Sequence, residues 1–436
     1  MIDKTLNKIY SIFKKSSGIC TDTRKLKKNS IYFALKGPSF NGNNFAKEAL
    51  VKGAILSVVD NKDLEGISDE IIYVDDVLST LQGLARHHRK KFNIPFIGLT
   101  GSNGKTTTKN LIEKVLSIKY KVRATQGNLN NHIGVPLTVL SVSENDEIAI
   151  IEMGASAVGE IKLLSEISRP NVGLITNISN AHIGGFKDFD GVIRGKSELF
   201  DFLLKNEGQV IINNFDSTIK NFSKRFNNSI HLEGPNSIVN VKLIKSTPDI
   251  KFQINNNKIF SSNLFGDYNF ENILFALTLG EYFNIDIEKS SKVISEFRSD
   301  NNRSEKIYHK SNCIILDAYN ANPYSMDKAI NAVYNFESKN KVLILGDMNE
   351  LGNYSEEEHI KIGKLTKKLK IQHLFFVGSK MKSAFEENPN SIWSEKVDDL
   401  LNKLKKLSFK DSDILIKGSR SIELEKSLKT LKQISV

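Results

Sequence analysis

Apolar residues in this chain gather in short uninterrupted runs, each followed by a longer stretch in which they recur every third or fourth position. The runs at 30–35, 54–59 and 71–74 read as buried strands, with a helix-like segment at 45–52 between the first two. From Pro95 onward the alternation strengthens. Strands are predicted at 96–99, 148–151, 172–176 and 209–212, then at 313–316, 342–345, 374–377 and 414–416, with helical stretches between them. Such alternation predicts mainly parallel sheets that take their ligands at the carboxyl ends of the strands.

Two polar segments divide the pattern. The basic run RHHRKK at 86–91 leads into Pro95, and SDNNRS at 299–304 precedes the last set of strands. The resulting fold class is α/β with three domains. A small N-terminal α/β domain covers 1–83, a central P-loop-type, mainly parallel sheet covers 84–302, and a Rossmann-like α/β domain covers 303–436.

Composition narrows the function classes. No apolar run is long enough to span a bilayer, and the first residues lack a signal-peptide core, so the expectation is a cytoplasmic protein without stable membrane insertion. Cys20 and Cys313 are far apart and suggest neither a disulfide framework nor a zinc site. The net charge of +11 raises the question of nucleic acid. The lysines, however, are dispersed and interleaved with acids, as at 361–370 and 396–406, which is the pattern of a solvated surface. No nucleic-acid partner is expected.

The richest stretch is TGSNGKTTT at 100–108. A predicted strand ends in a Gly-rich turn, and 106–118 then reads as a helix with Leu111, Ile112, Val115 and Leu116 on one face. A strand–loop–helix of this kind offers backbone N–H groups and a helix N-terminus to an anion. Gly101, Ser102, Asn103, Gly104, Lys105, Thr106 and Thr107 are therefore candidates for a nucleoside triphosphate site, with Lys105 on the β/γ-phosphates and the Thr106 hydroxyl on Mg²⁺. The usual P-loop would place glycine at position 99, where this chain has Leu99, so the motif is the shorter G-x-x-G-K-T. A Gly-rich turn capping an ordinary helix is the alternative.

Other candidates follow predicted strands. Glu152, after 148–151, suits a Mg²⁺ ligand, although an isolated glutamate is equally an exposed loop residue. His182 lies in TNISNAHIGGF after 172–176, and pattern alone leaves it open between a ligand and a structural histidine. By composition Lys196, in GVIRGKSELF, reads as a surface lysine.

TGSNGKTTT, EMGAS at 152–156, the AHIGGF and GKSELF pair, and GDYNFEN at 266–272 together resemble the Mur ligase family, the ATP-dependent amide-forming enzymes of peptidoglycan precursor assembly. GNLNNHIGVP at 127–136, DAYNANPYSM at 317–326, GDMNELG at 346–352 and KGSRS at 417–421 are similar to the branch that adds D-Ala-D-Ala to UDP-N-acetylmuramoyl-tripeptide. The resemblance runs through all three predicted domains.

It implies ATP and two Mg²⁺ sites, one at Thr106 and Glu152, the other at His182 and a carbamylated Lys196. It also implies Asn269, Asn272, Arg303 and Asp317 as nucleotide-binding residues, and Lys105, Glu152, His182 and Lys196 as the catalytic set. On the substrate side it implies Thr23, Asn130, Asn131, Asn320, Asn322, Ser325, Asp347 and Glu350. Asn41–Gly42–Asn43 replaces the family's more usual Asp-Gly-His in the uridine-binding segment, and Tyr268 stands where many relatives have histidine. The Asp-Asn-Pro-Arg string of the single-amino-acid branch that builds the tripeptide is absent. A second rival, a nucleotide-dependent switch or binding protein, accounts for the phosphate loop alone.

Overall fold

The strand Phe96–Thr100 organises the middle of the chain. It is buried throughout, with Phe96 in one apolar core and Ile97 and Leu99 in another on the opposite face. The computed structural model describes residues 4–180, 183–299 and 302–435. Around this strand runs a six-stranded parallel sheet in the order Ser229–His231, Gln209–Ile212, Val172–Ile175, Phe96–Thr100, Ile148–Glu152, Val122–Ala124. The chain leaves Phe96–Thr100 toward one edge and later returns to its other side. The carboxyl end of that strand is therefore a switch point, where an open α/β sheet forms its ligand crevice.

Two further α/β layers flank this one. The first holds a four-stranded parallel sheet of Ile19–Cys20, Ile31–Phe33, Leu56–Val59 and Ile71–Tyr73. The last holds six strands, in which Glu305–His309 runs antiparallel to Asn312–Asp317 and the remaining pairs are parallel. The α/β, mainly parallel expectation holds.

Three features depart from the sequence reading. The basic run at 86–91 is no open junction: the helix Val77–Arg89 runs into it as far as Arg89 and also spans the 83/84 boundary. His88 and Arg89 are buried there. The Arg89 guanidinium lies 3.7 Å from the Phe96 ring centroid and donates to the carbonyls of Ser168, Phe92 and Arg169, so it bonds the helix to the central layer. A three-stranded antiparallel sheet, Lys242–Lys245, Ile250–Gln253 and Ile259–Ser262, was not predicted. Lys242–Lys245 is exposed along its whole length, so it has no apolar run to announce it. Two-residue strands such as Ile19–Cys20 are too short for a periodicity to register.

The last layer is docked on the central one. Phe265 meets Phe336 edge-on with centroids 5.8 Å apart, and the Lys306 amine binds both the Pro248 carbonyl and Asp249. A Cβ on Gly184 would lie 3.2 Å from the Gly352 nitrogen, so the two backbones meet where only small residues fit. Among the described residues no helix is long and apolar enough to cross a membrane.

Candidate active site

A cleft of about 520 Å³ opens at the switch point, walled by the loop residues 102–107, by Asn128, Asn130, Asn131 and His132, by Glu152 and by the C-terminal layer. The loop's shape depends on two glycines. Gly101 has φ +148°, and a Cβ there would lie 1.9 Å from Thr176 Oγ1. Gly104 has φ +77° and would push a Cβ to 2.7 Å from Asn272 Oδ1. Asn177, just beyond the neighbouring strand, accepts the Ser102 N–H on its carbonyl and the Asn103 N–H on its side chain, each at 2.9 Å. The Ser102 hydroxyl donates to the Ser179 carbonyl at 3.0 Å. The helix Lys105–Leu116 starts at once, with no side-chain cap, which leaves its first N–H groups for an anion.

The Lys105 amine donates to the Gly101 carbonyl at 2.7 Å and to that of Ser102 at 3.2 Å. Burial lowers its pKa from the ordinary lysine value, and the Arg303 charge adds to this while Glu152 and Glu350 oppose it. Thr107 also lines the cleft. Glu152 ends its strand fully buried. Its Oε1 accepts from the Thr106 hydroxyl at 3.2 Å and from Asn130 Nδ2 at 2.8 Å, while Oε2 is buried with no hydrogen-bond partner. An orphaned carboxylate oxygen beside a threonine hydroxyl fits a hard cation such as Mg²⁺, which accepts one or two protein oxygens and completes its shell from substrate and water.

Lys196 is no surface residue. The helix Phe189–Lys205 buries it completely, and its amine reaches the Ala155 carbonyl at 3.3 Å, behind the cleft wall. Burial first, then the charge of Lys105, hold it well below the usual lysine pKa. The nearby acids are engaged elsewhere: Glu198 accepts the N–H groups of Gly159 and Lys162, and Glu160 accepts that of Ser156. His182 lies outside the described residues.

Asn269 and Asn272 stand on the helix Asp267–Tyr282 in the cleft wall, but bonded to their surroundings. Asn272 accepts from Thr108 and donates to Asn269, which donates to the Phe265 carbonyl, each at 2.9 Å.

From the C-terminal layer Arg303, Asp317, Asn320, Asn322, Ser325 and Glu350 all line the cleft. Asn322 and Ser325 form a capping box at the helix Pro323–Tyr334, and the free amide of Asn322 donates to Asn103 Oδ1 at 2.6 Å. That bond ties the C-terminal layer to the phosphate loop. Asp317 is spent on Lys417 and on the Ser304 N–H. Asn130 and Asn131 both line the cleft, and Asn131 Oδ1 caps the helix Gly134–Leu140.

Two expected substrate residues are not brought to this cleft. Asp347 is buried, and its carboxylate accepts the Met381 N–H at 2.8 Å beside Gly378, where a Cβ would strike it, so it shapes its own loop. Thr23 sits on the first layer in the turn Thr23–Lys25. Its neighbour Asp22 bonds Arg24, which lowers the carboxyl pKa to about 2. In the same layer Asn43 donates to Asp60 at 2.8 Å.

Sequence reading passed over Asn177, Tyr319, Tyr324, Lys328 and Lys417 at the cleft. The available signal was position, since Asn177 and Lys417 stand at strand carboxyl ends and the two tyrosines lie inside DAYNANPYSM. It also passed over Glu271, whose Oε2 accepts from Asn213 at 2.7 Å and whose pKa burial raises from 4.5 to about 7. The folded protein therefore takes up a proton that the unfolded chain has released, and stability falls as pH rises through that window. Glu271→Gln is expected to flatten this slope and to raise stability at pH 8 by on the order of 2 kcal/mol, read by urea melts across pH 4.5–8.

A phosphate loop facing a buried acid with an unused oxygen, closed over by a second α/β layer, defines an enzyme that spends a nucleoside triphosphate on a second substrate. The chain belongs to the Mur ligase family: the Mur ligase middle domain matches residues 99–280, and the Mur ligase glutamate ligase domain matches 302–420. It is 36% identical over 430 residues to the UDP-N-acetylmuramoyl-tripeptide–D-alanyl-D-alanine ligase of Bacillus subtilis, covering 95% of this chain and 93% of that one. The enzyme of the same name from Escherichia coli is 30% identical over 437 residues, with 95% and 93% covered. Among solved structures, a MurF crystal structure from Acinetobacter baumannii aligns with a TM-score of 0.84 at 28% identity, over 95% of this chain and 93% of that one. MurF from Thermotoga maritima in complex with ADP shares the fold at a TM-score of 0.85 and 24% identity, with 99% of each chain covered.

Proposed function

We propose that this protein is the cytoplasmic ATP-dependent ligase that joins D-Ala-D-Ala to UDP-N-acetylmuramoyl-tripeptide. One observation carries the reading beyond the family. The Asn322–Asn103 bond sets the DAYNANPYSM segment, the acceptor side of the branch it resembles, directly against the phosphate loop. In this reading the first α/β layer holds the uridine nucleotide through the segment around Thr23, the central layer holds ATP, and the C-terminal layer brings the dipeptide.

The tripeptide carboxylate attacks the ATP γ-phosphorus, ADP leaves, and an acyl phosphate forms. The dipeptide amine then attacks the acyl carbon, and phosphate departs. The loop N–H groups and Lys105 hold the phosphates and offset their growing charge. Asn269 and Asn272 border the adenine, while Arg303 reaches the phosphate chain. Asn130 and Asn131 face the tripeptide end, and Asn320, Asn322, Ser325 and Glu350 face the dipeptide. The docked C-terminal layer excludes water that would hydrolyse the acyl phosphate.

Thr106 and Glu152 would hold one Mg²⁺, and His182 with a carbamylated Lys196 the second. Bound there, the ions neutralise repulsion between the ATP tail and the attacking carboxylate. Carbamylation needs a neutral amine, the form that burial favours at Lys196. The nitrogen lone pair bonds the CO₂ carbon and one N–H proton is released, which turns the buried neutral amine into an anion.

Tripeptide labelled with ¹⁸O in its terminal carboxylate tests the acyl-phosphate route. Mass spectrometry is expected to find one label in the released phosphate, and unlabelled phosphate would overturn the route.

A further inference from the structure

Arg303 faces an electrostatic difficulty. It lines the same cleft as Lys105 and lies close enough for its charge to disfavour the lysine's. Among the described residues no ion pair engages the guanidinium, so something other than a carboxylate must keep it there. The contact present is aromatic: the Arg303 guanidinium carbon lies 3.5 Å from the centroid of the Tyr319 ring. The backbone fixes the same pairing. The Tyr319 N–H donates to the Asn302 carbonyl at 3.2 Å, and the Ser304 N–H donates to Asp317 at 3.0 Å. Residues on both sides of Arg303 are thus tied to the segment that carries the ring. Arg420, beyond the adjacent strand Ser412–Lys417, places its own guanidinium 5.3 Å from the same centroid.

We propose that Tyr319 is a positioning residue that holds Arg303 opposite Lys105, so that the two cations flank the triphosphate. The ring supplies attraction without neutralising the guanidinium, which keeps its full charge for the phosphates. A carboxylate in the same place would hold Arg303 equally well but would compete with the nucleotide for it. Contact at 3.5 Å from the ring centroid also restricts how the guanidinium can turn and so helps to aim its N–H groups. The proposal rests on reading the cleft as an ATP site.

The test is a double-mutant cycle of Tyr319→Leu and Arg303→Ala, with Tyr319→Phe as the ring-preserving control. Two quantities are measured: binding of ATP with magnesium by calorimetry without acceptor substrates, and kcat and KM in the complete reaction. Tyr319→Phe is expected to stay within about twofold of the parent, and Tyr319→Leu to lose about tenfold in kcat/KM for ATP, with KM for the dipeptide unchanged. Adding Arg303→Ala to Tyr319→Leu is expected to cost little more, because both changes disable one unit. Losses that multiply, or a leucine variant as active as the phenylalanine variant, would overturn the proposal. Should Tyr319→Leu fail to fold, Arg303→Lys replaces it, since an ammonium keeps the charge without a planar face; retained activity there would overturn the proposal too. If the parent ignores the dipeptide while calorimetry still shows the coupling, the ligase reading fails and the Tyr319 proposal stands.

Discussion

Lys196→Ala is expected to abolish turnover, by about a thousandfold or more, while leaving ATP binding nearly intact. The reason is the residue's position and its charge state. A lysine in a fully buried site, with Lys105 as its cationic neighbour and both nearby glutamates bonded to backbone N–H groups, contributes nothing as an ammonium. As a carbamate it supplies an anion close to the cationic Lys105. Short carboxylic acids such as formate or acetate are expected to restore part of the rate, because they can place a carboxylate in the space left by the side chain. Steady-state rates with and without the added acid, beside melting temperatures, provide the check. Full activity in the alanine variant would remove Lys196 from the mechanism.

Lys105→Ala is expected to cost about 10²–10³ in kcat, with a smaller change in the dissociation constant of ATP. The amine is already held over the loop by the carbonyls of Gly101 and Ser102, so no reorganisation is needed as charge grows on the transferring phosphoryl group. The backbone N–H groups at the start of the helix Lys105–Leu116 remain and continue to bind phosphate. Single-turnover rates at saturating ATP, set beside calorimetric binding, separate the two effects. A variant that loses affinity but keeps its single-turnover rate would mean that Lys105 binds the ground state and the transition state alike.

The layered fold was legible because each central strand is an uninterrupted apolar run bounded by a turn, as at Phe96–Thr100 and Val172–Ile175. Exposed or very short strands lack that signature, which is why Lys242–Lys245 and Ile19–Cys20 escaped. The basic run at 86–91 misled because Arg89 buries its charge against carbonyls and a ring that only the fold assembles. At the site, the loop glycines could be read from spacing alone. The burial of Lys196 could not, since GVIRGKSELF also describes a helix with an exposed lysine, and resemblance to the family was what singled it out. Asp347 shows the converse: inside a family motif, its carboxylate serves the Met381 N–H. Position hinted at Asn177 and Tyr319, but what they hold, the loop residues 102–103 and Arg303, became visible only in the fold.

Phosphate release by the purified protein, supplied with ATP, magnesium and UDP-N-acetylmuramoyl-tripeptide, decides whether the cleft is a dipeptide-adding site. Release is expected to require D-Ala-D-Ala and to remain at background with D-Ala or L-Lys in its place. Release that is indifferent to the dipeptide, or supported equally by a single amino acid, would contradict the assignment.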